Sequence, residues 1–221
     1  MSVLIVAAHP DDEILGCGGF ISKMQKRGVN CFSLILTDGA TGRYKPAKKK
    51  ALAKYALAAN KVIGASNVFF EDFPNQKLDE VSITSIIKAI ERYIKRLGVD
   101  CVFTHHGRDL NIDHRIIYDA TITACRPLPG QQVKTLYTYM VASSTEWNRY
   151  EKDDIFVPNV FLDISEEIET KIRAMKCYKT ECRLYPHPRS SKAIRAYAHY
   201  QGLTVGLEYA ESFRLIRDMR G

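Results

Sequence analysis

SVLIVAAHPDDEILGCGGFISKMQKRG, residues 2–28, decides how this chain folds. Residues 3–8 are an unbroken apolar run, the pattern of a strand covered on both faces. Pro10 ends the run, and 14–28 carries apolar residues at helical spacing before closing on Gly28. The alternation repeats downstream. CFSLILTDG (31–39), NVFFED (67–72), VDCVFTHH (99–106) and KTLYTYMV (134–141) read as strands, with helices expected over 47–64, 79–97 and 113–126. This βαβαβαβαβ order predicts a mainly parallel sheet with helices on both faces, a Rossmann-like, doubly wound α/β fold.

After about residue 141 the pattern loosens. SSTEWNRYEKDD (143–154) reads as a polar loop and VPNVFLDIS (157–165) as a further strand. SEEIETKIRAMKCYKTE (165–181) reads as a helix with a capping-box start at Ser165. RLYPHPRSSK (183–192) is a proline-broken loop, and the remainder is expected to be helical. Residues 1–221 are read as one domain, with 141–221 a C-terminal elaboration packed on the same sheet.

Composition narrows the class. No apolar run reaches the ~18 residues that cross a bilayer, and the opening turns acidic too early for a signal peptide. A soluble, cytoplasmic protein without membrane insertion is expected. Six cysteines at 17, 31, 101, 125, 177 and 182 form no CxxC, and four lie in apolar runs. They read as buried free thiols rather than a disulfide framework. The net charge of +7 is moderate, and its one cluster, Lys48–Lys50, opens a helix. It reads as a solvated helix face rather than a nucleic-acid patch, and the charge equally suits an anionic small molecule.

In open α/β sheets ligands bind beyond the carboxyl ends of the strands, where strand order reverses. The first strand runs into His9-Pro10-Asp11-Asp12-Glu13, and the fourth into His105-His106-Gly107-Arg108-Asp109-Leu110-Asn111-Ile112-Asp113-His114. Acids at a helix start gain only a few tenths to about 1 kcal/mol from the helix dipole. Capping therefore explains one or two of them, but not the histidine in front. The spacing of three between His9 and Asp12 lets both face one point, with Asp11 beside it. His114 is the natural third ligand for a zinc that keeps one position open for water. Gly16-Cys17-Gly18-Gly19 does not match GxGxxG and lies inside the helix, which argues against a dinucleotide enzyme. Those glycines are expected to let helix and sheet pack closely. A non-catalytic sugar- or nucleotide-binding module on the same rim is the remaining alternative.

AHPDDE (8–13) after a first strand, with NIDHR (111–115) about a hundred residues on, resembles the PIG-L/LmbE-type de-N-acetylase family. TDG (37–39), DFPNQKLD (72–79) and PHPRS (186–190) extend the resemblance along most of the chain. Those enzymes are zinc-dependent and deacetylate N-acetylglucosamine-type sugars on varied carriers. The resemblance implies one zinc per chain held by His9, Asp12 and His114, with Asp11 as general base and Asp113 as a supporting carboxylate. Many members read HPDH where this chain has Asn111-Ile112-Asp113-His114. Asn111 can donate a hydrogen bond to an oxyanion but cannot transfer a proton. Asp11 must then handle both proton steps, or another histidine such as His187 substitutes. Either His105 or His106 should line or support the site, while His199 reads as surface or core. Arg43, Arg108 and Arg189 are candidate binders of phosphate or sugar hydroxyls, and Trp147 a candidate stacking platform. The expected substrate is a small N-acetylated sugar conjugate, anionic or nucleotide-linked. Family members are often homo-oligomers, which the sequence leaves open.

Overall fold

The computed structural model describes residues 1–37, 47–148 and 155–220, without the side chains of 47–50. Arg43 therefore lies outside the described residues, as do the side chains of the Lys48–Lys50 cluster. The strands are β1 (Ser2–Ala7), β2 (Asn30–Thr37), β3 (Asn67–Phe73), β4 (Cys101–His105), β5 (Thr135–Tyr139), β6 (Val160–Asp163) and β7 (Ala210–Asp218). The helices are α1 (Asp12–Lys26), α2 (Ala47–Ile63), α3 (Ile83–Leu97), α4 (Ile112–Ala124), α5 (Ile168–Cys177) and α6 (Ser191–Leu203).

The seven strands among the described residues join one sheet in the order β3-β2-β1-β4-β5-β7-β6. β1 pairs in parallel with β2 and β4, placing Val3 opposite Cys31 on one side and Cys101 on the other. The order reverses between β1 and β4, as the doubly wound reading expects. β7 runs antiparallel between β5 and β6.

The period of two along β1 divides the core. Val3, Ile5 and Ala7 face Ile14, Ile21, Ile172 and Ile194 of α1, α5 and α6. Leu4, Val6 and Ala8 face Ile86, Ile90 and Ile117 of α3 and α4. Every residue from Val3 to Ala8 is fully buried, which is why that run carries no polar alternation. Cys17, Cys31, Cys101 and Cys125 are buried free thiols. No described helix is long and apolar enough to cross a membrane.

The glycines of α1 do bring helix and sheet together. A Cβ at Gly16 would sit 2.2 Å from the Tyr139 ring, and one at Gly19 would sit 2.8 Å from Ile164. An ion pair then ties the middle of α1 to the C-terminal elements. Lys171 Nζ donates to Leu15 O at 2.8 Å and pairs with Glu211 at 2.7 Å. Glu211 in turn accepts the N–H groups of Gly19 and Phe20 at 2.7 and 2.6 Å.

Three sequence expectations need correction. The tail is not helical to its end: α6 stops at Leu203 and β7 occupies 210–218. β7 buries its first four residues between β5 and β6, and its far end alternates at the surface. No capping box forms at Ser165, whose Oγ bonds Asp163 Oδ1 at 2.6 Å; α5 begins three residues later behind Glu167. The helix expected over 79–97 is interrupted: a 3₁₀ turn spans Leu78–Glu80, and α3 starts at Ile83. The break lies at Val81 and Ser82, whose backbone is extended with ψ of 138° and 119°, while the Leu78 N–H donates to Asp113 Oδ1 at 3.2 Å.

Candidate metal centre

β1 and β4 deliver their C-terminal residues to one rim. His9 follows β1, Asp12 opens α1, and His114 lies in the first turn of α4, capped by Asn111. Metal-ligating atoms of His9, Asp12 and His114 all lie within 4.8 Å of one another. His9 Nδ1 is 3.1 Å from His114 Nε2, and Asp12 Oδ2 is 3.4 and 3.3 Å from those two nitrogens.

The outward nitrogens face carboxylates. His9 Nε2 lies 2.9 Å from Asp113 Oδ2, and His114 Nδ1 lies 3.2 Å from Asp109 Oδ2. Asp113 is fixed by the backbone N–H groups of Gln76 and Leu78. Asp109 is fixed by Ser144 Oγ and by Thr145 Oγ1 at 2.5 Å. A proton on His9 Nε2, donated to Asp113, would turn the Nδ1 lone pair toward Asp12 and His114, while His114 Nδ1 faces the Asp109 carboxylate without hydrogen-bond geometry. Asp12 Oδ1, moreover, is buried with no hydrogen-bond partner. Two imidazoles and a carboxylate converging on one point are the donor set of a nitrogen- and oxygen-liganded divalent cation, which would take the place of the imidazole proton. The residues fit such an ion.

The electrostatics favour a cation at this point. Burial opposes charge on His114, but Asp12 and Asp109 outweigh it and raise its pKa to about 10. Burial likewise opposes ionisation of Asp12, and His114, His9 and His105 hold its carboxyl well below the usual range. The centre thus attracts one positive charge.

Asp11 sits beside this centre with its backbone at φ 109°. It is the N-cap of α1, yet its side chain makes no capping hydrogen bond. Its Oδ2 instead receives Arg189 Nη1 at 2.6 Å. Burial pushes its carboxyl well up, and Arg189 pulls it back only in part. Arg189 also donates through Nε to Ser143 Oγ at 2.8 Å and lies 3.6 Å from Glu181.

A cavity of about 570 Å³ opens over the centre. His9, Asp11, Asn111, His114, Trp147, His187 and Arg189, all expected from the sequence, line it. Asn111 Oδ1 accepts the Asp113 N–H at 2.9 Å, which leaves its amide N–H₂ as donor. His187 Nδ1 accepts the Arg189 N–H at 3.1 Å, so the neutral ring carries its proton on Nε2. Trp147 is 49 % exposed and edge-on to His187, with ring centroids 6.1 Å apart. Arg108 does not line the cavity; its carbonyl accepts Asn148 Nδ2 at 2.7 Å. His105 lies beneath, stacked 4.0 Å from His114, with Nε2 accepting the Ala8 N–H at 2.8 Å. His106 packs edge-on against Phe156, and His199 bonds Glu208 O on the surface.

Sequence reasoning missed Asp109, Gln76 and Arg183. Asp109 lay within the quoted cluster and could have been found from its polar company. Gln76 contributes a backbone N–H, which no residue-type signal reveals. Arg183 lines the cavity from the proline-broken loop, exposed and with no carboxylate partner among the described residues.

Comparison with known proteins follows the same lines. The family model described as GlcNAc-PI de-N-acetylase (PIG-L) matches residues 4–125. An uncharacterized deacetylase, YaiS, of Escherichia coli (strain K12) is 27 % identical over 184 residues, 80 % of this chain and 90 % of that protein. Diacetylchitobiose deacetylase of Thermococcus kodakarensis is 28 % identical over 226 residues, 97 % of this chain and 82 % of that protein. The structure of N,N'-diacetylchitobiose deacetylase from Pyrococcus horikoshii superposes with a TM-score of 0.78 at 20 % identity, covering 98 % of this chain and 84 % of that one. The matched span starts in β1 and ends at the C-cap of α4, and so contains both motifs that build the metal centre: this chain belongs to the PIG-L family.

Proposed function

We propose that residues 1–221 form one metal-dependent de-N-acetylase domain that hydrolyses the acetamide of an N-acetylglucosamine-type sugar conjugate. The convergence of His9, Asp12 and His114, with Asp11 unligated beside them at the base of an open cavity, carries this reading. Zinc suits the two-imidazole, one-carboxylate donor set. Such an ion acidifies water toward pKa ~7 and polarises an amide carbonyl.

The chain's own groups would supply the rest. Asp11 takes a proton from the attacking water and returns it to the departing amine, so one carboxyl serves both proton steps. The Asn111 amide and the His187 Nε2–H offer hydrogen bonds to the developing oxyanion. His187 suits a donor better than an acid: burial, then Arg189 and Arg183, lower its pKa, so it is neutral near pH 7. Arg189 is occupied with Asp11 and acts on the base. Arg183 is the group left to meet an anionic carrier, such as a phosphate or carboxylate on the sugar's neighbour. Trp147 offers an exposed ring for a sugar face.

The test is elemental analysis and acetate release in parallel. Wild type should hold about one zinc per chain and release acetate from an N-acetylglucosamine conjugate. His114→Ala should lose the metal, and Asp11→Asn should keep it while losing activity. A protein that takes up no zinc under any loading condition would end the hydrolase reading. One that binds zinc but releases no acetate from neutral, phosphorylated or nucleotide-linked sugars would point to the binding module.

A further inference from the structure

We infer that Glu13 is a positioning residue that forces Asp11 into its working orientation, an inference that rests on Asp11 being the base. An N-cap aspartate normally has negative φ and spends its carboxylate on the N–H groups of the first turn. Asp11 does neither: its φ is 109° and its side chain points away from the helix end toward Arg189. For a residue with a Cβ this backbone region costs on the order of a few RT and persists only when its surroundings impose it.

The imposing group is the Glu13 carboxylate, which accepts the Asp11 N–H on Oε2 at 3.0 Å. Its other oxygen is saturated from behind. Tyr178 Oη donates to Oε1 at 2.5 Å, and Asn60 Nδ2 donates to the same atom at 2.9 Å. Asn60 is itself fixed, giving its other amide hydrogen to Ala56 O and accepting Ser33 Oγ at 2.7 Å. Glu13, Tyr178, Asn60 and Ser33 are all buried, and none of them lines the cavity. Glu13 does not reach the cavity and so cannot exchange protons with substrate; toward the site its contacts end at the backbone of Asp11. The anchors come from β2, α2 and the C-cap of α5, so three separated segments must be in place before residue 11 takes its conformation.

One readout is activity and the other is not. Glu13→Gln presents a hydrogen-bond donor where three donors already point. It should lower kcat about ten- to a hundredfold, the effect of displacing a reacting group by about an ångström, with KM and bound zinc unchanged. Tyr178→Phe removes one anchor and should lower kcat by less. Wild-type kcat in Glu13→Gln would overturn the inference; should that variant fail to fold, wild-type kcat in Tyr178→Phe does so. The second readout needs no substrate. Only glycine adopts φ 109° without cost, so Asp11→Gly should melt above Asp11→Ala, and the gap should narrow when Glu13→Gln is added. Equal Tm values for the two Asp11 variants would show that nothing forces the residue. Full activity in Asp11→Asn would remove the base reading while leaving this stability comparison intact.

Discussion

The Arg189 guanidinium lies 2.6 Å from the Asp11 carboxylate, 178 positions earlier in the chain. Sequence reasoning places Arg189 among substrate binders, but in the fold its guanidinium is paired with the carboxylate of Asp11, the proposed base. The two roles separate kinetically. Arg189→Gln should lower kcat on the order of tenfold or more with little change in KM, because a misheld base loses part of its catalytic contribution. A raised KM at unchanged kcat would return Arg189 to the substrate.

The carboxylates behind the two histidines should set metal affinity. Asp109→Asn and Asp113→Asn each leave the proposed ligands His9, Asp12 and His114 in place but remove the carboxylate charge that faces an imidazole. Zinc affinity, read by competition with a chelator, should fall roughly 10- to 100-fold in each. Unchanged affinity would mean that packing alone orients the rings.

The Lys171–Glu211 pair is buried, with side chains 7 % and 3 % exposed. Lys171→Met should destabilise the fold by about 3 kcal/mol, the lower end of the range for orphaning a buried charge. Two α1 N–H groups still hold the Glu211 carboxylate and limit the loss. Chemical denaturation of Lys171→Met, Glu211→Gln and the double variant should show costs that are not additive.

Gly16→Ala should be costly for so small a change. The new methyl would lie 2.2 Å from the Tyr139 ring, whose hydroxyl bonds Val6 O at 2.8 Å. Overpacking of this kind costs about 1–3 kcal/mol. Gly28→Ala, with nothing near its Cβ, suffers only the strain of φ 73°, so its denaturation midpoint should move for backbone reasons alone.

His187 should titrate below the ordinary histidine value of 6.5, because burial and the nearby Arg189 and Arg183 disfavour its cation. In the window between its folded pKa and 6.5 the unfolded chain binds more protons. Its contribution to stability is therefore present above 6.5 and lost as pH falls through that window. A histidine-resolved NMR titration should show the low midpoint, and Arg183→Gln should move it upward. A midpoint at or above 6.5 would restore His187 as an acid near neutral pH.

Much of this protein was decided locally. The apolar run at 3–8, the helical spacing after Pro10 and their repetition were enough for the parallel sheet, since a strand buried on both faces needs no alternation. The short gaps inside His9-x-x-Asp12 and Asp113-His114 fix neighbours along the chain, and the strand-four reading set them on one rim. Tertiary structure decided the rest. β7 carries ordinary surface residues along half its length, and only its slot between β5 and β6 makes it a strand. Arg189 looked like a substrate binder until the fold laid it on Asp11, and Glu13 looked like a helix cap until Tyr178 and Asn60 closed on it. Residue types and spacings report what the backbone does nearby. Which charge meets which across 178 positions depends on how the layers pack, and no local pattern encodes that.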